Sequence, residues 1–140
     1  TADVTAQIKE RARQWGIHHV QVTGFQSEER FRDWLLAVDL GIQLRVSPLL
    51  GVSGPLSDLA AFGTPAVASR GLCLDVDPPA YIRPLPDSVS PVLVAEAVEA
   101  ALDELMSDGD REVLRHSYLD VKSPARYAEQ LLTIIDESIA

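Results

Sequence analysis

A run of small residues precedes a helical pattern near the middle of the chain. The segment LLGVSGPLSDLAAFGTPAVAS, residues 49–69, contains a glycine-rich turn, a helical pattern that starts near Pro55, a stop at Gly63-Thr64-Pro65 and an apolar strand. Backbone N–H groups at a helix start bind anions, typically phosphate, when no side chain covers them. An ordinary strand-to-helix connection is the alternative interpretation. The candidate phosphate site consists of four residues of the turn: Gly51, Val52, Ser53 and Gly54.

Composition limits the classes of function that this chain can have. Its 140 residues carry a formal net charge of −9, which argues against a nucleic-acid-binding surface. The length suffices for one hydrophobic core and is short for two. Cys73 is the only cysteine, so no internal disulfide forms, and no apolar run reaches the ~18 residues that cross a bilayer. We therefore expect one cytoplasmic domain, residues 1–140, without a transmembrane segment.

The periodicity of apolar residues predicts alternating helices and strands as far as residue 85, followed by helices. Helices are predicted over 4–15, 27–37, 55–63, 92–106, 111–120 and 123–139. Strands are predicted over 18–24, 39–46, 65–69 and 80–85, and the rest of the proline-rich stretch 71–91 is predicted to be irregular.

Such alternation implies a parallel sheet with helices on both faces, here a Rossmann-like, three-layer α/β/α fold. Open parallel sheets bind ligands outside the carboxyl ends of their strands. The turn at 46–54 follows one predicted strand and precedes a helix, so its position favours a phosphate site.

Further motifs accompany the segment 49–69. They are VQVTGF, SEERFRDWLLAVDLGIQL, YIRPLP and the closing helices REVLRHSYLDVKSPARYAEQLLTII. Taken in order, these stretches resemble the donor-binding domain of family-4 glycosyltransferases with the GT-B fold. The family's "EGFGLPLLEAMACGTPVVAS"-like segment aligns with ours without a gap. The matching residues are Gly51, Pro55, Leu56, Ala60, Gly63, Thr64, Pro65, Val67, Ala68 and Ser69.

The resemblance implies retaining transfer of a hexose from a nucleoside-diphosphate sugar, without a metal or other cofactor. Two glutamates of the family, one on the sugar and one on the ribose, correspond to Leu50 and Asp58. Asp58 keeps a carboxylate that can accept ribose hydrogen bonds, whereas Leu50 cannot contact the sugar in that way. Arg45, at the carboxyl end of a predicted strand, is a candidate for holding the diphosphate, with a structural ion pair as the alternative.

The family's domain begins with elements that this sequence lacks: a strand ending in Gly-Arg, a helix opening with Lys, and a further strand. In the family's strand order, 3-2-1-4-5-6, the absent strands are central, so VQVTG loses its neighbour and DLGIQLRV loses one side. Unpaired buried backbone groups cost ~1–3 kcal/mol each. Three outcomes follow: the missing part lies on another chain, a second copy pairs with these strands, or the sheet re-orders.

We expect the chain to be part of a larger glycosyltransferase whose acceptor side is an N-terminal domain, and to be inactive alone. A non-catalytic α/β assembly or binding module, such as a degenerate glycosyltransferase domain, is the alternative.

Overall fold

The computed structural model describes residues 2–45 and 51–139, and this part of the chain contains seven helices and three strands. The helices are α1 (Ala2–Gln14), α2 (Glu28–Ala37), α3 (Gly54–Phe62), α4 (Arg70–Val76), α5 (Pro91–Asp103), α6 (Asp108–Lys122) and α7 (Pro124–Ile139). The strands are β1 (Gly41–Gln43), β2 (Ala66–Ser69) and β3 (Ile82–Leu85). These elements confirm the α/β class.

The chain divides into two compact units, Thr1–Arg32 and Asp33–Ala140. In the first unit, the Gly16 N–H donates to the Arg13 carbonyl at 3.1 Å and the Ile17 N–H donates to the Ala12 carbonyl at 2.9 Å. These two bonds satisfy carbonyls in the last turn of α1, which ends within one residue of the end predicted for the helix over 4–15.

The predicted strand over 18–24 is wrong, because these residues are irregular in the structure. An extended segment becomes a strand only when a neighbour supplies the ladder hydrogen bonds. Within the described part of the chain, the sheet contains only β1, β2 and β3. The alternation of HHVQVTG therefore predicted a strand, but no described segment pairs with residues 18–24.

The second unit contains a parallel sheet in the order β1-β2-β3. Gly41 lies opposite Ala66, and Ala66 lies opposite Ile82. Helix α3 connects the first two strands and α4 connects the last two. Strand β1 is shorter than the predicted 39–46, and β3 carries Pro84 opposite Ala68.

Helices pack on both faces of this sheet, because successive residues of β2 point to opposite sides. Ala66 and Ala68 belong to a core cluster with residues of α3 and α4, while Val67 packs with Ala101 of α5. The first cluster contains Leu35, Leu56, Leu59, Ala60, Ala66, Ala68, Leu72, Cys73, Val76, Tyr81 and Ile82. A parallel sheet needs cover of this kind on both faces.

Helix α4 corrects the expectation that residues 71–79 are irregular. Its start is supported from a distance, because Asp87 Oδ1 accepts the Gly71 N–H at 2.9 Å. Ser69 occupies the N-cap position but makes no cap bond with its side chain. The helix ends at Asp77, which has a left-handed backbone and donates its N–H to the Cys73 carbonyl. Asp87 and Gly71 are sixteen residues apart, so their contact at the start of α4 leaves no local sequence signal.

The three closing helices agree with their predicted positions, and a serine caps each of them. The N–H of Leu93 donates to Ser90 Oγ at 3.2 Å at the start of α5. Ser107 and Ser123 cap α6 and α7 in the same way. Each bond satisfies an N–H that the first turn of a helix leaves without an intrahelical partner.

Candidate functional site

The entry turn, Gly51–Gly54, leads into α3. Gly51 has a φ of +144°, a conformation that side-chain-bearing residues rarely adopt. Val52 is 68% exposed, and a Cβ built on either glycine would meet no atom within 4 Å. The backbone at Gly51, Val52 and Gly54 is therefore open to solvent and could approach a ligand closely.

Ser53 lies beneath this open surface and is 1% exposed. Its Oγ accepts the Leu56 N–H at 3.3 Å, and its carbonyl accepts the Ser57 N–H at 2.9 Å. Ser53 is therefore the N-cap of α3, and its hydroxyl oxygen is already used within the helix. Pro55 has no N–H. The N–H groups of Gly51, Val52 and Gly54 belong to exposed residues and donate to no other described residue, whereas the Ser53 N–H is buried with the rest of Ser53.

Arg45 joins the end of β1 to the entry turn. Its N–H donates to Ser69 Oγ at 2.8 Å, and the Ser69 hydroxyl donates to the Arg45 carbonyl at 3.2 Å. The Arg45 guanidinium donates through Nη1 to the Gly51 carbonyl at 3.2 Å. Arg45 therefore lies beside the predicted phosphate site and contacts its backbone, while a contact between Arg45 and phosphate stays a prediction.

Asp58 is a half-buried residue of α3. It follows Gly54 by one helical turn, so both residues lie on the same side of the helix. A ligand that binds the N–H groups of the entry turn could extend along this side toward the Asp58 carboxylate. Leu50, the other residue that the resemblance singled out, lies outside the described residues.

The opposite end of α3 is bonded to the protein. Gly63 has a φ of +73° and donates its N–H to the Ala60 carbonyl at 3.3 Å, while the Thr64 N–H donates to the Leu59 carbonyl at 3.0 Å. This pair of bonds is the Schellman motif, which needs a left-handed residue after the helix. The Thr64 hydroxyl donates in turn to the Leu35 carbonyl at 2.7 Å. The predicted stop at Gly63-Thr64-Pro65 is confirmed.

Two further side chains reach the last turn of α3. The Tyr81 hydroxyl donates to the Ala60 carbonyl, and Arg115 Nε donates to the Ala61 carbonyl at 2.8 Å. Burial raises the pKa of Tyr81 to about 12, because the low-polarity interior disfavours the phenolate. Burial also raises the pKa of Tyr118, while a hydrogen bond with Ser57 lowers it. The Tyr81 and Arg115 contacts hold the C-terminal end of α3, whereas Tyr118 of α6 contacts its first turn at Ser57.

Two concave regions of the second unit do not involve the predicted site residues. One is lined by residues that include Leu35, Asp39, Gly63, Pro65, Arg111 and Glu112. The other is an apolar groove beside α5 that includes Ile42, Leu44, Val89, Val94 and Val98. The entry turn is thus a surface-exposed backbone feature, outside both of these hollows.

Comparison with protein-family models finds none that matches this chain, and comparisons with curated proteins and with solved structures find no match either. No helix within residues 2–45 and 51–139 has the length and apolar character needed to cross a membrane. In the same ranges, no group of three or more His, Cys, Asp or Glu side chains is arranged to hold a metal ion.

Sequence reasoning missed the structural role of Ser69 and Asp87 at the carboxyl ends of the strands. Their hydrogen-bond partners are Arg45 and Gly71, which are far from them in the sequence. Such pairs have no fixed spacing, so one sequence offers no signal that could have identified them.

Proposed function

We propose that the chain is the donor-binding half of a retaining glycosyltransferase, which moves a hexose from a nucleoside-diphosphate sugar to an acceptor. The observation that carries this proposal is the entry turn, whose solvent-exposed backbone leads into the N-terminus of α3. Backbone N–H groups and the helix dipole at such a position favour a diphosphate. The turn also lies beyond the carboxyl end of a parallel strand, where open sheets bind ligands.

The arrangement of the sheet gives further support. The order β1-β2-β3 agrees with the last three strands of the order 3-2-1-4-5-6 that the resemblance implies. Helices on both faces agree with a Rossmann-like, three-layer arrangement. Strand β1 has a partner on one side only among the described strands. That edge is where an acceptor-side domain, another chain or a second copy would complete the sheet.

Each predicted residue takes one role in this proposal. Gly51 provides the backbone conformation of the turn, the exposed N–H groups of Val52 and Gly54 donate to the diphosphate, and the buried Ser53 caps the helix beneath them, so its predicted contact with the ligand is not part of the proposal. Asp58 accepts hydrogen bonds from the ribose hydroxyls.

Arg45 orients the turn and adds positive charge beside it. The resemblance implies that no metal takes part.

A second candidate is a non-catalytic α/β assembly or binding module, and one observation favours it. Ser53 belongs to the predicted phosphate site, yet its hydroxyl is buried and bonded to the Leu56 N–H, so this group serves the helix. Leu50, which replaces a glutamate of the family, points in the same direction. A degenerate donor domain that is kept for assembly would retain the fold and bind no nucleotide.

Calorimetric titration of the chain with UDP, GDP and ADP tests the proposal. We expect saturable binding of at least one nucleotide, and Asp58→Ala should weaken it by about 10- to 100-fold, the effect of losing hydrogen bonds to a charged acceptor. Asp103→Ala is the matched control, because it removes an exposed carboxylate from the end of α5.

Saturable binding that Asp58→Ala leaves unchanged would contradict the role of this carboxylate. Absence of binding for all three nucleotides would favour the assembly module. Circular dichroism of each variant checks that the fold is intact, so that a loss of affinity is not mistaken for unfolding.

A further inference from the structure

Ser69 uses its hydroxyl for a contact that its position in the sequence does not predict. It lies at the N-cap position of α4, where serine ordinarily bonds to the helix that it precedes, yet it makes no such bond. Asp87 accepts the Gly71 N–H of that helix instead. Ser69 is 1% exposed, and its Oγ both accepts from the Arg45 N–H and donates to the Arg45 carbonyl.

These two bonds extend the link between β1 and β2 beyond the sheet ladder. The last ladder pair of these strands is Gln43 with Ala68, and the Ser69 hydroxyl then holds both backbone groups of Arg45. The Arg45 guanidinium reaches the Gly51 carbonyl at 3.2 Å. The chain is therefore held where it leaves β1 and again where it enters the turn before α3.

We propose that Ser69 is a positioning residue for the entry turn. Acting through Arg45, it fixes where the turn presents its N–H groups to a diphosphate, and it does not touch the ligand because it is buried. The inference rests on the proposed function for its ligand. Its structural half, from Ser69 through Arg45 to Gly51, can be tested without any nucleotide.

The test uses Ser69→Ala in the full chain, with Ser90→Ala as the matched control at the exposed start of α5. Two-dimensional NMR follows the amide signals of Val52 and Gly54, and hydrogen exchange follows the Leu56 amide, which is bonded to the buried Ser53 hydroxyl. In Ser69→Ala, which removes both bonds to Arg45, we expect the Val52 and Gly54 signals to shift and Leu56 to exchange about threefold to tenfold faster, a change of the size of one hydrogen bond's net contribution. The Leu93 amide reports any general loss of stability.

Arg45→Gln is a second variant that leaves the buried hydroxyl in place and removes the guanidinium contact with Gly51. It should shift the same amide signals of the entry turn, even if Ser69→Ala fails to fold. Titration with UDP should give a Kd about threefold to tenfold higher for Ser69→Ala than for Ser90→Ala.

The outcomes separate this inference from the proposed function. Entry-turn signals that both variants leave unchanged would overturn the positioning role, whether or not nucleotide binds. Signals that move in a protein whose wild type binds no UDP, GDP or ADP would refute the nucleotide function and support the positioning of the turn. Faster exchange at Leu93 as well as Leu56 would identify a general destabilisation and overturn the inference.

Discussion

The two ends of α3 differ in how much of their hydrogen bonding the protein itself supplies. At the C-terminal end, the carbonyls of Leu59, Ala60 and Ala61 all accept hydrogen bonds from groups outside the helix. At the N-terminal end, the Ser53 hydroxyl satisfies one N–H, and the backbone of the entry turn lies at the surface. The fold therefore holds the helix firmly at the end farther from the proposed site. At the N-terminal end, the Val52 and Gly54 N–H groups donate to no other described residue.

The largest change in stability that we expect comes from the buried side of the N-terminal end of α3. Leu56 is fully buried beneath the entry turn, so Leu56→Ala should lower the free energy of unfolding by about 3 kcal/mol through lost contacts and a residual cavity. Val52→Ala, in the exposed part of the same turn, should change it by less than about 0.5 kcal/mol. Urea unfolding measures both. Equal losses of unfolding free energy in the two variants would mean that Val52 is packed like Leu56. The contrast between the N-terminal and C-terminal ends of α3 would then disappear.

A smaller effect is expected at the closed end, where Gly63 has a left-handed backbone. Gly63→Ala should destabilise the protein by about 1–2 kcal/mol because of that conformation, and its Cβ would lie 3.1 Å from Arg115 Cδ. Gly109→Ala is the control with the opposite sign, since Gly109 lies within α6 and a Cβ there meets no atom within 4 Å. It should add up to about 1 kcal/mol of stability.

Thermal and urea unfolding of the two alanine variants, measured side by side, test this pair. A stabilised Gly63→Ala would show that the left-handed cap is not needed to end α3.

The smallest of the three effects concerns the Tyr81 hydroxyl, which donates to the Ala60 carbonyl. Tyr81→Phe should cost about 1 kcal/mol at neutral pH, because the Gly63 N–H still satisfies that carbonyl. Tyr127→Phe is the control, since Tyr127 is 68% exposed on α7. Urea unfolding at neutral pH compares the two.

The same tyrosine predicts a dependence on pH. Burial raises the pKa of Tyr81 from 10.0 to about 12, so between these values the unfolded phenol ionises while the folded one stays protonated. The folded state then binds more protons, and stability falls as pH rises through this window. Tyr81→Phe should show a shallower fall than Tyr127→Phe. Parallel curves for the two variants would contradict the role of the buried hydroxyl.

Local signals in the sequence were sufficient for much of the helical structure. Gly63 predicted the end of α3, and Gly16 and Ser123 lie at the ends of other predicted helices, because caps act on residues within one turn. The strands at 65–69 and 80–85 followed from short apolar runs between breakers.

Elements that depend on distant partners were not predictable in this way. Helix α4 relies on Asp87 for its first turn. The segment 18–24 has the alternation of a strand but no pairing with the described strands. Phe31 and Trp34 lie on the apolar side of a predicted helix, yet they are 41% and 40% exposed, because periodicity identifies a face and not what covers it.

The candidate site shows the same limit. The sequence located the entry turn and the helix that follows it, since Gly51 and Pro55 are local signals. It did not reveal that the Ser53 hydroxyl faces inward. Serine is a common residue both in buried helix caps and in ligand contacts, so the residue type does not distinguish the two roles.

Pro84 in β3 makes the two borders of the sheet chemically unequal. Proline has no N–H, so a strand added beside β3 would meet a position that cannot donate to it. In β1, the Gly41 N–H already donates to the Pro65 carbonyl at 2.8 Å, so the N–H of the next residue, Ile42, points away from β2. Among the described strands, addition of a further strand is therefore unequal at the two borders: Pro84 lacks a donor beside β3, whereas the Ile42 N–H on the far side of β1 can donate to an added strand.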